Sequence, residues 1–278
     1  MKKARKPSVI VMGKRSRKPA LLVGINTYPA GSALSGCVND SKDWASYLKG
    51  FGYVPTLLLN RKATRAAIIS SLKEMLKSLR PGDTGVFAYS GHGSWVPCTD
   101  GSERDRRSEC ICPVDCIGDE SKIILDDEIA ALLSSRAKGS RVLMMSDSCH
   151  SGTVYRSKPK IIYSNGKGRF LHPSLFCDRP GASRISKPPR RESSSEALPG
   201  VIFFSGCGDN QYSADASFGG RSNGAFTYYA LGVFKKLGPD STYAQIYKEL
   251  RNYLPSSRYE QKPEMHALPE DAGRKIFT

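Results

Sequence analysis

Five short apolar runs constrain the fold of this chain more than any other feature. They lie at residues 20–25, 56–59, 85–89, 141–145 and 201–204. The first is bounded by Lys18-Pro19 and Asn26. Runs of this length between turn formers and charge read as buried strands. The segments between them carry a different period. Over 36–50, Cys37, Trp44, Tyr47 and Leu48 fall on one helical face with Phe51 just beyond, and Gly50 and Gly52 end the element. Residues 63–80 give the cleanest helix, with Ile68, Ile69, Leu72, Met75, Leu76 and Leu79 recurring before Pro81-Gly82. Further helices are predicted over 126–135, 223–236 and 242–254, and a last strand at 275–277. Residues 98–122 read as a polar loop. Strands alternating with helices predict an α/β fold with a mainly parallel central sheet of about six strands flanked by helices. In such sheets the ligand site lies beyond the carboxyl ends of the strands. The loops around His92 and Cys149 both fall at that edge.

Composition excludes several classes. Apolar residues make up 39% of 278, and no run approaches the ~18 residues of a membrane span. The patch at 9–12 is too short for a signal-peptide core of ~7–15 apolar residues. Eight cysteines are too sparse for a small disulfide scaffold, so reduced thiols and a cytoplasmic location are expected. The formal charge of +16 is concentrated. Residues 1–18 carry eight Lys or Arg and no acid, and 156–191 carry ten against one acid, Asp178. The organisation expected is therefore a basic extension over 1–19 and one domain over 20–278. Within that domain a basic flexible loop over 156–199 separates 20–155 from 200–278. Such segments suit a polyanion such as nucleic acid, but a solvated, Pro/Ser/Gly-rich stretch is the favoured reading.

A cysteine nucleophile needs a base, an exposed position and backbone donors for the oxyanion. His92 stands between Gly91 and Gly93, and Cys149 directly follows an apolar run. The amides of Gly93 and Cys149 are natural oxyanion donors. The competing reading, an inert buried Cys and a structural His, carries similar weight from spacing alone.

Ser90-Gly91-His92-Gly93-Ser94 and Asp147-Ser148-Cys149-His150-Ser151-Gly152 resemble the catalytic motifs of the metacaspases, in the caspase-like clan of cysteine proteases. Cys37-Val38-Asn39-Asp40, Cys112-Pro113-Val114-Asp115, Asp126-Asp127-Glu128, Ser205-Gly206-Cys207, Ser213-Ala214-Asp215-Ala216 and Asn223-Gly224-Ala225-Phe226-Thr227 follow the family in order. The resemblance spans about residues 20–277. It implies a caspase-like sandwich, 20–155 and 200–278 corresponding to large- and small-subunit regions. It also implies His92 as base, Cys149 as nucleophile, and cleavage of proteins or peptides after Arg or Lys. It places Asp40 and Asp147 in the specificity pocket, with Ser90 and Cys37 beside them. Two carboxylates there suit a guanidinium or ammonium. A monomer is expected. A catalytically weak scaffold binding nucleic acid through 1–18 and 156–191 is the alternative.

The chain departs from the family at its calcium positions. Asp126 and Asp127 match two ligands, but Ser108 and Arg156 stand where carboxylates are expected. No cofactor is expected and calcium dependence is doubtful. Cys98, Cys110, Cys112 and Cys116 lack the paired spacing of a zinc site and read as incidental. A protease cutting after basic residues has candidate self-cleavage sites at Lys158, Lys160, Lys167, Arg169, Arg190 and Arg191. Arg190-Arg191 is the most exposed by composition.

Overall fold

A computed structural model describes residues 18–29, 31–98, 107–149, 167–177, 197–208 and 211–278. In chain order the elements are β1 (Pro19–Gly24), α1 (Cys37–Lys49), β2 (Val54–Leu59), α2 (Arg65–Ser78), β3 (Thr84–Ser90), β4 (Gly93–Pro97), β5 (Arg107–Ile111), β6 (Ile124–Leu125), α3 (Asp126–Ser134), β7 (Arg141–Asp147), β8 (Lys167–Gly168), β9 (Val201–Ser205), β10 (Ala214–Phe218), β11 (Arg221–Gly224), α4 (Ala225–Leu237), α5 (Tyr243–Leu250), β12 (Glu264–His266) and α6 (Pro269–Ala272). The central sheet has six strands in the order β12-β9-β7-β3-β1-β2. All pairs are parallel except β9 with β12.

The strands alternate across this sheet as period-two geometry requires. Leu21, Val23, Phe87, Val142 and Met144 face α2 and α3, meeting Ile68, Leu72, Ile129 and Leu133. Ala20, Leu22, Val86, Leu143, Ile202 and Phe204 face the other way, meeting Trp44, Leu48, Phe234 and Ile246. Both faces are covered, which explains why the strands read as unbroken apolar runs. The result is an α/β sandwich of helices on both sides of one mainly parallel sheet.

Two expectations need correction. Residues 275–277 form no sheet strand: Lys275 makes one isolated bridge to Thr242, and Phe277 takes a left-handed φ of 60°. Ile276 and Phe277 instead fill the apolar face, and β12 is the edge strand. The polar loop over 98–122 contains β5, which pairs antiparallel with β4 and β6. Its charged alternation hid a strand buried on one side only. A second small sheet orders β11-β10-β8. Among the described residues no helix is long and apolar enough to cross a membrane.

Candidate active site

The carboxyl ends of β1, β3 and β7 stand side by side, with Gly24 opposite Ser90 and Ser90 opposite Asp147. This register brings the His92 and Cys149 loops together. Gly24 lets α1 approach, since a Cβ there would lie 2.5 Å from the Cys37 carbonyl oxygen and from Ser41 Oγ. The first turn of α1, with Asp40, thereby reaches the sheet edge.

His92 is held from three directions. Its Nε2 lies 2.7 Å from the Ser32 carbonyl oxygen. A carbonyl only accepts, so the proton sits on Nε2 and Nδ1 carries the lone pair. Nδ1 is buried and has no hydrogen-bond partner among the described residues. The backbone N–H of His92 donates to the Tyr28 hydroxyl (3.1 Å), and Tyr89 Oη donates to its carbonyl (2.7 Å). The Tyr28 ring packs against the imidazole at 4.6 Å. Burial, seconded by the charge of Arg169, lowers the His92 pKa to about 4. The ring is therefore neutral at pH 7.

Cys149 is buried. Its Sγ accepts from the Ser213 N–H at 2.7 Å. Cys207 lies against it, and that contact leads the causes, with burial second, of a Cys207 pKa well above the usual thiol value. Cys37 is buried beside Ser90 and Arg169, and desolvation raises its pKa.

Asp40, Asp147 and Ser90 do form one pocket, and it contains a guanidinium. Arg169 is 0 % exposed. Its Nη2 lies 2.7 Å from Asp40 Oδ2 and 3.0 Å from Asp215 Oδ1. Its Nη1 lies 3.1 Å from Asp147 Oδ1 and donates to Ser90 Oγ at 2.7 Å. Nε has no partner among the described residues, so the pocket reads the terminal fork. Burial alone would lower the Arg169 pKa, but the surrounding charges, Asp147 foremost, raise it well above the usual value. Desolvation lifts Asp40 to about 6 despite Arg169.

Each carboxylate is braced by other groups. Asp40 Oδ1 accepts from the Gly224 N–H and Asn223 Nδ2. Asp147 Oδ2 accepts from the N–H and hydroxyl of Thr227. Asp215 accepts from the N–H groups of Ser35 and Gly36, just before α1. That placement also suits the helix dipole. Gly224 is required by crowding, as a Cβ would overlap Asp147 Oδ2 and lie 2.7 Å from Arg169 Cζ.

Backbone contacts extend the arrangement. The N–H groups of Gly93 (3.0 Å) and Cys149 (3.2 Å) both donate to the Arg169 carbonyl oxygen, and the Arg169 N–H donates to Ser213 O. β8 adds antiparallel to β10 just before it. Residues 170–177 lie on the other side, where Leu171 donates to Gly93 O.

Sequence reasoning missed three participants. In the sequence Asp215 stands only within a family-like motif, and Arg169 is one of six candidate self-cleavage sites in a basic stretch. It is buried because three carboxylates outweigh its desolvation. The Ser32 carbonyl, which orients His92, is a backbone group with no side-chain signature. Lys158, Lys160, Arg190, Arg191, Arg156, His150 and most of both basic segments lie outside the described residues.

In the segment that carries the expected calcium positions Ser108, Asp126 and Asp127, Asp115 Oδ1 accepts from the Arg65 N–H at the start of α2. Glu128 forms a two-point pair with Arg65, and Ser108 is buried. Cys98, Cys110, Cys112 and Cys116 are buried and form no disulfide.

Comparison with known proteins agrees with this architecture. A family model described as the caspase domain matches residues 17–272. Metacaspase-1 of Scheffersomyces stipitis is 31% identical over 92% of this chain and 72% of its own. Metacaspase-1 of Kluyveromyces lactis is 32% identical over 91% of this chain and 66% of its own. The crystal structure of protein GSU0716 from Geobacter sulfurreducens superposes with a TM-score of 0.70 at 28% identity, covering 94% of this chain and 98% of that one.

Proposed function

Because the chain belongs to the caspase-domain family, as a metacaspase-like cysteine peptidase acting on proteins, we propose that it cleaves after Arg or Lys. Cys149 is the nucleophile and His92 the base in this reading. One observation carries it. A basic side chain fills the carboxylate pocket while the carbonyl of the same residue accepts from the Gly93 and Cys149 amides. That is the pose a substrate needs on the acyl side of its scissile bond.

The chemistry follows from the geometry. Nδ1 of neutral His92 takes the thiol proton, and Cys149 Sγ attacks the carbonyl carbon. The Gly93 and Cys149 N–H groups stabilise the oxyanion. The imidazolium, held by the Ser32 carbonyl, protonates the leaving amine, and the same ring then activates water to hydrolyse the thioester. The pocket supplies selectivity. Three carboxylates favour a cation and repel an acidic residue, and desolvation strengthens both effects. A Lys ammonium reaching the Nη2 position has partners in Asp40 and Asp215.

The residues present do not suit calcium. Ser108 and Arg156 stand at two of the four positions where carboxylates are expected, and Asp126 and Asp127 sit in the first turn of α3, where acids favour the helix dipole. Activity without calcium is part of the proposal.

Peptide reporters ending in Arg, Lys or Asp test this reading, each assayed with chelator and with calcium. Arg and Lys reporters should be cleaved and the Asp reporter should not, with chelator making no difference. Cys149→Ala should lower kcat by a factor on the order of 10⁴ or more. Cleavage after Asp, or activity surviving Cys149→Ala, would refute the assignment.

A further inference from the structure

We propose that Tyr212 is a specificity-determining residue whose ring selects glycine immediately before the cleaved Arg or Lys and an aromatic residue immediately after it. The inference rests on the peptidase reading above and deepens it by naming the substrate class: extended protein segments of the form Gly-Arg-aromatic or Gly-Lys-aromatic.

The segment around Arg169 shows what a peptide in the cleft meets. Extended chain sends alternate side chains to opposite faces. Arg169 turns into the carboxylates, so residues 168 and 170 share the other face. Tyr212 lies on that face. Lys167 and Gly168 pair with Asp215 and Ala214, and the Arg169 N–H donates to Ser213 O. The same register, continued, puts Tyr212 opposite Phe170. The Tyr212 and Phe170 rings meet edge to face, 6.0 Å apart at 71°. On the acyl side the same ring crowds position 168. A Cβ on Gly168 would stand 3.1 Å from Tyr212 Cδ1 and 3.4 Å from its Cγ, tighter than an ordinary carbon–carbon contact.

Backbone conformation does not call for that glycine. Gly168 is a strand residue paired with Ala214, and its φ lies outside the left-handed region that favours glycine. The three atoms nearest the added Cβ all belong to Tyr212. Lys167 meets no such wall. It is exposed, and its Nζ donates to the Ala33 carbonyl oxygen at 3.2 Å, a solvent-facing contact that selects weakly. A peptide that takes the place of residues 167–170 therefore meets one ring on both sides of its scissile bond.

The backbone that carries this ring is pinned. Gln211 Nε2 donates to Glu260 O, and Gln211 Oε1 accepts from the Lys262 N–H. The Ser213 N–H donates to Cys149 Sγ, and the Ala214 N–H donates to Gln261 Oε1. The contacts that fix Ser213 against the nucleophile thus also fix Tyr212 over the bond. The ring is half-buried. Burial, seconded by Cys149, raises its pKa, so it meets the peptide uncharged at pH 7.

Internally quenched peptides that differ only at these two positions test this on the full chain. With Phe after the cleaved Arg, kcat/KM should fall from Gly to Ala before it, and by about 10–100-fold from Gly to Val. With Gly before Arg, Phe after it should be preferred to Ser by about 2–10-fold. Tyr212→Ala should bring both ratios close to one, and Tyr212→Phe, which keeps the ring, should retain them. Each ratio is taken within one preparation, so partial unfolding of a variant leaves it unchanged, and wild type alone can fail the test. Equal cleavage across either series by wild type, or ratios that survive Tyr212→Ala, would overturn the proposal and leave the peptidase reading standing. Cleavage of none of the Arg peptides overturns both.

Discussion

Trp44 and Asp40 stand one helical turn apart on α1 and both are buried, yet they face different interiors. Trp44 packs edge-on to Phe234 at 5.3 Å, in a cluster with Leu48, Phe204 and Phe226. Apolar burial is non-directional, and all of that cluster but Tyr53 lies on an element of the sandwich or its final turn. Asp40 faces Asp147, Asp215 and the Arg169 guanidinium. Carboxylates in a dry site repel one another and need a cation or water. The apolar region is complete in the scaffold itself, whereas the polar one is completed by an arm that enters from the β8 side. Equal dryness thus conceals opposite roles: one interior holds the fold together, and the other is a receptor occupied by its own chain.

Substitutions separate the two interiors, and the largest effect is expected in the apolar one. Phe234→Ala should cost about 3–5 kcal/mol of stability in urea unfolding. Reporter kcat/KM per folded molecule should be unchanged. Loss of turnover in proportion to stability would mean that the two regions are one cooperative unit. Asp40→Asn should act the other way. It removes one charge from the pocket and keeps the side-chain shape. Kcat/KM for Arg reporters should fall by about 10²–10³, while the apolar cluster keeps its stability.

Arg169→Ala sharpens the comparison further. In a permanent core, removing the cation from a buried pair costs about 3–5 kcal/mol. A receptor can release its arm and admit water, so a smaller loss of about 1–3 kcal/mol is expected. A loss at the upper figure would place Arg169 in the scaffold rather than in a receptor.

The sandwich was legible because its signals are local and redundant. Both-face burial makes β3 and β7 unbroken apolar runs, and α2 repeats its pattern over four turns. The missed strands β4, β5, β10 and β11 are short and mixed in composition, and their pairing is decided by partners elsewhere in the chain. In the site, His92 and Cys149 were marked by their glycine and serine neighbours, and Asp40 and Asp147 by the family resemblance. Asp215 and Arg169 were not legible as pocket members. Their roles arise from pairing between segments far apart in sequence. A basic residue among nine others in a Pro/Ser-rich stretch has no local mark that it will be buried.

Proton linkage gives the smallest and most discriminating test of what closes the pocket. Two groups there titrate with opposite effects on stability. His92 is lowered to about 4 by burial, so between pH 6.5 and 4 the unfolded chain binds its proton first and acid destabilises the fold. Asp40 is raised from 3.8 to about 6 by burial. In that window the unfolded chain loses its proton first, so rising pH destabilises the fold. The two slopes overlap and oppose each other, and Asp40→Asn removes only the second. In a Cys149→Ala background, which prevents self-cleavage, the stability penalty of Asp40→Asn should therefore shrink as pH rises from 4 to 6. Urea midpoints across that range measure it directly. A penalty that grows with pH instead would mean that Arg169, rather than desolvation, governs Asp40, and that the arm is bound as tightly as any part of the core.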